Sequence, residues 1–351
     1  MIAEVASNLR LYLERTLQCD FEICPLDDKG LAHWHFRLAG TGLLARIPKQ
    51  SQMGLGALDS VTYEAACFQR AAASGHVPRL ARVIHPTHEL PRGALLVEEI
   101  IGSPANSAAH IAPIMQALAS IHILPVPTAS ARAPIQSESN PLESMLRLVR
   151  VQAIHLDHPA IAEPTRHILK NRLEILSRTL PRVCKGLAPR LITFDAHPGN
   201  FLITPTGKAV LVDLEKLRYS YPPLDLAHAT LCTSTTWDVD ASFELSVDQV
   251  VQAYEAWMAA VGNVAAPYLA AFVPLRELMW LWSVTWCAKW LTESVKTKGA
   301  GCGGEDWSQD NSDVALIEHV RSRVDDYLAF ATINRVQAEL HALDRVYAHQ
   351  S

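Results

Sequence analysis

Residues 193–203 read Thr-Phe-Asp-Ala-His-Pro-Gly-Asn-Phe-Leu-Ile, and residues 211–215 read Leu-Val-Asp-Leu-Glu. Asp195 stands five residues before Asn200, and Asp213 follows thirteen residues later. Pro198-Gly199 is a turn pair, so the chain folds back and Asp195 and Asn200 converge. Apolar runs before Asp195 and before Asp213 read as short strands, each delivering a carboxylate at its end. Phosphoryl transfer uses this set of groups. One carboxylate orients the attacking hydroxyl, while an amide oxygen and a second carboxylate hold magnesium against the phosphates. On its own the Asp-x4-Asn spacing is also what an Asx-rich turn between strands would show.

Working outward, the chain changes texture twice. Ile2, Val5, Leu9, Leu13 and Leu17 recur at helical spacing, predicting a helix over 2–18. Strands are predicted at 33–38 and 43–47, with Gly40-Thr41-Gly42 as the turn between them. Ser60 is the expected N-cap of a helix over 61–73. Strands follow at 80–85 and 94–99. Beyond Gly102 the pattern is helical, at 107–124, 142–155 and 163–180, then from 224 to 350. Strand and turn interrupt it at 190–214, and a glycine-rich loop at 299–312. The expected architecture is α+β with two lobes, a small antiparallel-sheet lobe carrying one helix and a larger, mainly helical one. The boundary falls between 1–102 and 103–351.

The composition narrows the classes. With 31 Lys+Arg against 36 Asp+Glu, the 351 residues carry a formal charge of −5. That balance argues against a nucleic-acid partner. At 49% hydrophobic residues, global disorder is excluded. Seven cysteines, an odd number with no Cys-x-x-Cys, argue against a disulfide framework or structural zinc and for a reducing compartment. No secretory leader is apparent, and the apolar stretch 278–291 contains Lys289 and is too short to span a bilayer. The expectation is a cytoplasmic protein with no membrane partner.

These segments resemble the catalytic and metal-binding loops of the aminoglycoside phosphotransferase and choline kinase family, a branch of the protein-kinase-like fold. Further matches run in the family's order. Leu43-Leu44-Ala45-Arg46-Ile47-Pro48 resembles the strand with the basic residue. Tyr63-Glu64-Ala65-Ala66 resembles the start of the helix that carries the ion-pair glutamate. Leu95 to Gly102 resembles the hinge strand with its closing glycine, Ala117 to His122 the helix ending in Leu-His, and Pro223-Leu224-Asp225-Leu226-Ala227 the Asp-Leu-Ala after the metal loop. The resemblance covers about 25 to 230, roughly two thirds of the chain.

The resemblance implies ATP and Mg²⁺ as cofactors. Asp195 would be the catalytic base, and Asn200 and Asp213 the Mg²⁺ ligands. Arg46 would contact the ATP phosphates and pair with Glu64; Lys49 lies past Pro48 and off that strand face. Backbone groups from Glu98 to Ile100 would hold the adenine edge, the turn at 27–33 would cover the phosphates, and Asp225 would brace the catalytic loop. The loop reads Asp-Ala-His-Pro-Gly-Asn, the small-molecule form, and Asp225 follows Asp213 too soon for a peptide-docking segment. The acceptor is therefore expected to be a small molecule with a hydroxyl group: an amino sugar or aminoglycoside-like compound, then an amino alcohol.

One departure stands out. Thr193-Phe194 occupies the place where the family has His-Gly. The departure leaves open a second reading, a catalytically silent nucleotide-binding regulator of the same fold. Trp282, Trp286 and Trp290 form a stripe beside Trp280 that reads first as core packing and second as an aromatic wall for the acceptor. Asp238, Asp240 and Glu277 are the acidic candidates for a cationic acceptor.

Overall fold

The computed structural model describes residues 2–17, 22–26, 32–239, 241–294 and 314–348. They fall into two compact units. One holds the residues up to Ile101 together with 314–317, the other those from Gly102 to Ser294 together with 318–348.

The first unit contains α1 (Ile2–Leu17), β1 (Ile23–Pro25), β2 (His33–Leu38), β3 (Leu43–Pro48), α2 (Ala57–Ala71), β4 (Leu80–Ile84) and β5 (Ala94–Glu98). The five strands make one antiparallel sheet in the order β1-β2-β3-β5-β4. Gly40 and Gly42 turn β2 into β3 at φ 76° and 68°, values at which a Cβ is strained. Leu9 and Leu13 of α1 are buried against Phe36, Leu38, Ala45, Ile47 and Leu96 of the sheet. Their spacing of four is one helical turn, which gives α1 a single apolar face. Helix α2 begins at Ala57 behind Gly56, not behind Ser60. Ser60 lies buried inside the helix, because the first helical bond is already made behind Gly56, whose carbonyl accepts the Ser60 N–H at 2.8 Å.

The second unit contains β6 (Ser103–Pro104), α3 (Ile111–His122), α4 (Pro141–Ala153), α5 (Glu163–Val183), β7 (Arg190–Ile192), β8 (Phe201–Ile203), β9 (Ala209–Leu211), β10 (Arg218–Ser220), α6 (Pro222–Thr230), α7 (Cys232–Thr235), α8 (Val247–Val261), α9 (Phe272–Glu293), α10 (Val314–Leu328) from residue 318 on, and α11 (Phe330–Tyr347). Two small antiparallel sheets, β6-β8-β9 and β7-β10, sit among the helices. Gly102 leads into β6. A Cβ there would stand 2.7 Å from the Ile203 carbonyl oxygen, so this close approach requires glycine.

Helix α9 organises this unit. Leu275, Leu278, Trp280, Val284 and Trp290 point to different sides and all are buried, as expected of a helix apolar all round. It packs against α4, α5 and α6. Two of its four charged residues, Arg276 and Glu277, are buried and paired. Arg276 Nη1 donates to Thr230 Oγ1 at 2.7 Å, and Arg276 Nε donates to Glu339 of α11 at 2.8 Å. Glu277 takes a two-pronged pair from Arg172 of α5. Removing one partner of such a pair strands a buried charge and costs about 3–5 kcal/mol.

Among the described residues no helix is long and apolar enough to cross a membrane. The five described cysteines are free thiols.

Candidate active site

The site is built where β7 ends. Phe194, two residues past it, has φ 60° and is the single non-glycine residue among those described with a positive φ. The left-handed region costs an L-residue roughly 1–2 kcal/mol. The surroundings hold it there. The backbone N–H groups of Thr193 and Phe194 donate to the two carboxylate oxygens of Asp225, at 2.7 and 2.8 Å. Asp225 is fully buried and also meets His122 Nε2 at 3.0 Å. Trp257 Nε1 donates to His122 Nδ1 at 3.0 Å. Nδ1 is thus a lone pair, and the ring hydrogen sits on Nε2, where it donates to Asp225. Asp225 braces the loop, as the sequence suggested.

The Phe194 side chain is pinned as well. Strand pairing sets Ile192 against Arg218, and the Arg218 guanidinium lies 3.6 Å from the centre of the Phe194 ring. Trp282 of α9 meets the same ring edge-on at 5.3 Å. A glycine at this place would adopt the left-handed conformation without strain. Here a phenylalanine accepts it, and ring contacts offset the cost.

Continued outward, the β7–β10 register sets Lys216 opposite Phe194, one residue before Asp195. Lys216 Nζ donates to Asp195 Oδ2 at 2.7 Å. Burial would raise the Asp195 carboxyl, but the ammonium overrides it, and the group is held well below the usual carboxylate range. His228 Nδ1 lies 3.7 Å from the other oxygen, Oδ1, beyond hydrogen-bond distance. Burial pushes the His228 imidazole down to about 4 against the pull of Asp195, so it is neutral near pH 7. Lys216, not His228, therefore supplies the positive charge.

Asn200 ends the Pro198-Gly199 turn. Its Nδ2 donates to the Asp195 carbonyl at 2.9 Å, which fixes the amide orientation and leaves Oδ1 as an outward acceptor. Beta pairing of Phe201 with Leu211 continues as Val212 N–H donating to the Asn200 carbonyl at 2.9 Å. That contact carries Asp213, the next residue, to the same turn. Asn200 thus contacts the Asp195 backbone directly, and the Asp213 backbone stands one residue past the pairing with Asn200; Asn200 Oδ1 and the Asp213 carboxylate are hard oxygen donors of the kind that suits Mg²⁺.

In the first unit Arg46 and Glu64 are both buried. The expected pair between them is replaced. Glu64 meets His33 Nε2 at 3.0 Å, while Arg46 Nη1 meets His35 Nε2 at 3.3 Å and the guanidinium lies 5.8 Å from the Phe68 ring centre. The register explains this: His33 stands at the end of β2 opposite Pro48, and Arg46 stands opposite His35. Glu98 closes β5, its carboxylate accepting the Arg79 N–H at 3.1 Å, with Ile100 half-buried two residues on. The expected phosphate-covering turn at 27–33 lies mostly outside the described residues, as does Asp240.

The other acceptor candidates divide. Glu277 is consumed by Arg172. Asp238 lies against Gly199, where a Cβ would stand 2.5 Å from its Oδ2. Trp280 and Trp290 are core, but Trp282 and Trp286 are only half-buried, so the stripe is not wholly core packing. Lys216 and His228 were not legible as site residues. Lys216 follows Asp213 by three, and His228 follows Asp225 by three, one helical turn later on α6. That second spacing is the signal that points His228 at the loop Asp225 braces.

The model of the APH phosphotransferase enzyme family matches residues 29–264. A search of curated proteins finds no match. Among solved structures, a choline/ethanolamine kinase family protein from Mesorhizobium loti is 16% identical, with 92% of this chain and 99% of that one covered at a TM-score of 0.58. The aminoglycoside 2'-phosphotransferase-IIIa, in its GDP complex, is 16% identical over 91% and 98%, at 0.60. The choline kinase LicA from Streptococcus pneumoniae is 13% identical over 90% and 98%, at 0.55. At these identities the structures show a shared fold. The family match spans more than half of the sequence and contains the Asp195–Asp213 site whole, and the chain belongs to the phosphotransferase enzyme family.

Proposed function

We propose that the protein transfers the γ-phosphoryl group of ATP to a hydroxyl of a small molecule, an amino sugar or aminoglycoside-like compound first and an amino alcohol second. The observation that carries this reading is the state of Asp195. Its Oδ2 is taken by Lys216, while its Oδ1 accepts no hydrogen bond among the described residues. An acceptor hydroxyl donating to Oδ1 is oriented for in-line attack. Because the carboxylate is a weak base, it directs the hydroxyl and takes its proton late, which suits a loose phosphoryl-transfer transition state.

Asn200 and Asp213 would hold Mg²⁺, which supplies charge neutralisation on the phosphates when bound. Arg46 is the phosphate-facing cation of the first unit in this reading, and backbone groups from Glu98 to Ile100 take the adenine. Free, scattered thiols suit a cytoplasmic setting.

ATP consumption with Mg²⁺ across amino sugars, amino alcohols and nucleosides tests the reading, with Asp195→Asn as control. Acceptor-stimulated turnover is expected. Thr193-Phe194 favours a second reading, a nucleotide-binding regulator without turnover. ATP binding with no turnover in the whole panel would support it.

A further inference from the structure

Resting on that reading, we infer that His228 is a second catalytic residue, which holds the acceptor hydroxyl jointly with Asp195. His228 Nδ1 faces Asp195 Oδ1 across 3.7 Å. The imidazole is 5% exposed, and Nδ1 has no hydrogen-bond partner among the described residues. A buried, unsatisfied ring nitrogen is unfavourable, and such an atom beside a catalytic carboxylate calls for a ligand.

The spacing has a chemical meaning. The two atoms are too far apart to bond to each other, yet one oxygen can sit about 2.8 Å from each, off the line between them, at an angle of about 80°. A hydroxyl there donates its hydrogen to Oδ1 and accepts from a neutral Nδ1–H. Two contacts fix the oxygen's direction where Oδ1 alone leaves it free to swing. As the oxygen bonds to the γ-phosphorus, the bond from that phosphorus to the β–γ bridging oxygen breaks and ADP leaves; the hydroxyl proton passes to Asp195 and the Nδ1–H stays on the ring, so His228 orients and exchanges no proton.

The imidazole is held for this. It stands on α6 one turn after Asp225, which carries the loop backbone. Trp282 meets the ring edge-on at 5.6 Å, and His197 lies across at 6.2 Å. His197 belongs to the catalytic loop itself and its Nδ1 is likewise buried without a hydrogen-bond partner, but of the two imidazoles it is His228 whose Nδ1 stands within 4 Å of an Asp195 oxygen, so the hydroxyl site falls to His228.

Two polar replacements separate this role from packing. His228→Asn places an amide N–H where Nδ1 stands, and His228→Gln places it where Nε2 stands. The measurement is steady-state turnover with Mg·ATP and kanamycin, glucosamine, choline or ethanolamine, with thermal unfolding recorded for both variants. The Asn variant is expected to keep kcat/KM for the acceptor within about 3-fold, and the Gln variant to lose about 10–100-fold, with KM for ATP unchanged in both. Equal activity of the two variants, or a parallel rise of KM for ATP, would overturn the inference. If no panel compound is turned over by the unaltered protein, the phosphotransfer reading fails separately. The same Asn–Gln contrast is then read on slow hydrolysis of Mg·ATP, where water takes the hydroxyl's place.

Discussion

Lys216 Nζ and Asp195 Oδ2 are 2.7 Å apart, in side chains only 19% and 16% exposed. This pair sets the charge state of the site. It makes Asp195 an ionised, weakly basic group whose second oxygen accepts no hydrogen bond among the described residues. Lys216→Met removes the cation and raises the Asp195 carboxyl towards or beyond its ordinary range. The acid limb of the pH–kcat/KM profile should then move to higher pH, and activity at neutral pH should fall by about 10²-fold. An unmoved acid limb would show that Lys216 does not control the carboxylate.

Stability should carry the signature of His228. Its folded value of about 4 lies below the ordinary 6.5. Between those values the unfolded chain binds a proton that the folded one does not, so stability rises with pH and falls on acidification through this window. The contribution is on the order of 3 kcal/mol at most. Thermal unfolding from pH 7.5 to 4 should show the fall, and His228→Asn should flatten it. A variant with the same pH slope would place the titrating group elsewhere.

Phe194 combines backbone strain with a buried ring. Phe194→Gly releases the left-handed penalty but loses the ring's contacts with Arg218 and Trp282. Phe194→Ala loses the ring and keeps the penalty. Denaturant titration should rank the three Phe, Gly, Ala, with Gly about 2–3 kcal/mol below the parent and Ala about 1 kcal/mol lower again. An alanine variant as stable as the glycine variant would remove the strain argument.

Arg276 is fully buried against Glu339, Thr230 and Tyr254. Arg276→Met strands the Glu339 carboxylate and should lower stability by about 3–5 kcal/mol. Arg276→Met with Glu339→Gln should recover part of that loss. No recovery in the double variant would mean the two side chains are not coupled.

The legible parts of the chain were those encoded locally. Asp195, Asn200 and Asp213 lie within nineteen residues, and the Pro-Gly turn and the strand pairing that link them are local features that the residue pattern predicts. Apolar periodicity placed α1 and the strands β2 and β3. The start of α2 was misplaced because Ser60 is a better N-cap by residue type than Gly56, while the loop geometry decided otherwise. The Arg46–Glu64 pair gave way to His33–Glu64 because a side chain's partner depends on strand register, which spacing does not report. Glu277 looked like an acceptor contact until Arg172, over a hundred residues away, proved to hold it. Lys216 and His228 reach Asp195 through the β7–β10 pairing and the turn of α6, relations that exist only once the second unit is folded.

The most direct measurement compares Asp195→Asn with the parent for ATP consumption driven by a small-molecule hydroxyl acceptor in the presence of Mg²⁺, with nucleotide binding recorded alongside. The amide keeps the shape of the side chain but is uncharged and takes no proton. The account predicts a loss of acceptor-stimulated turnover of about 10²-fold or more, with ATP binding retained. Turnover equal to the parent's would contradict it.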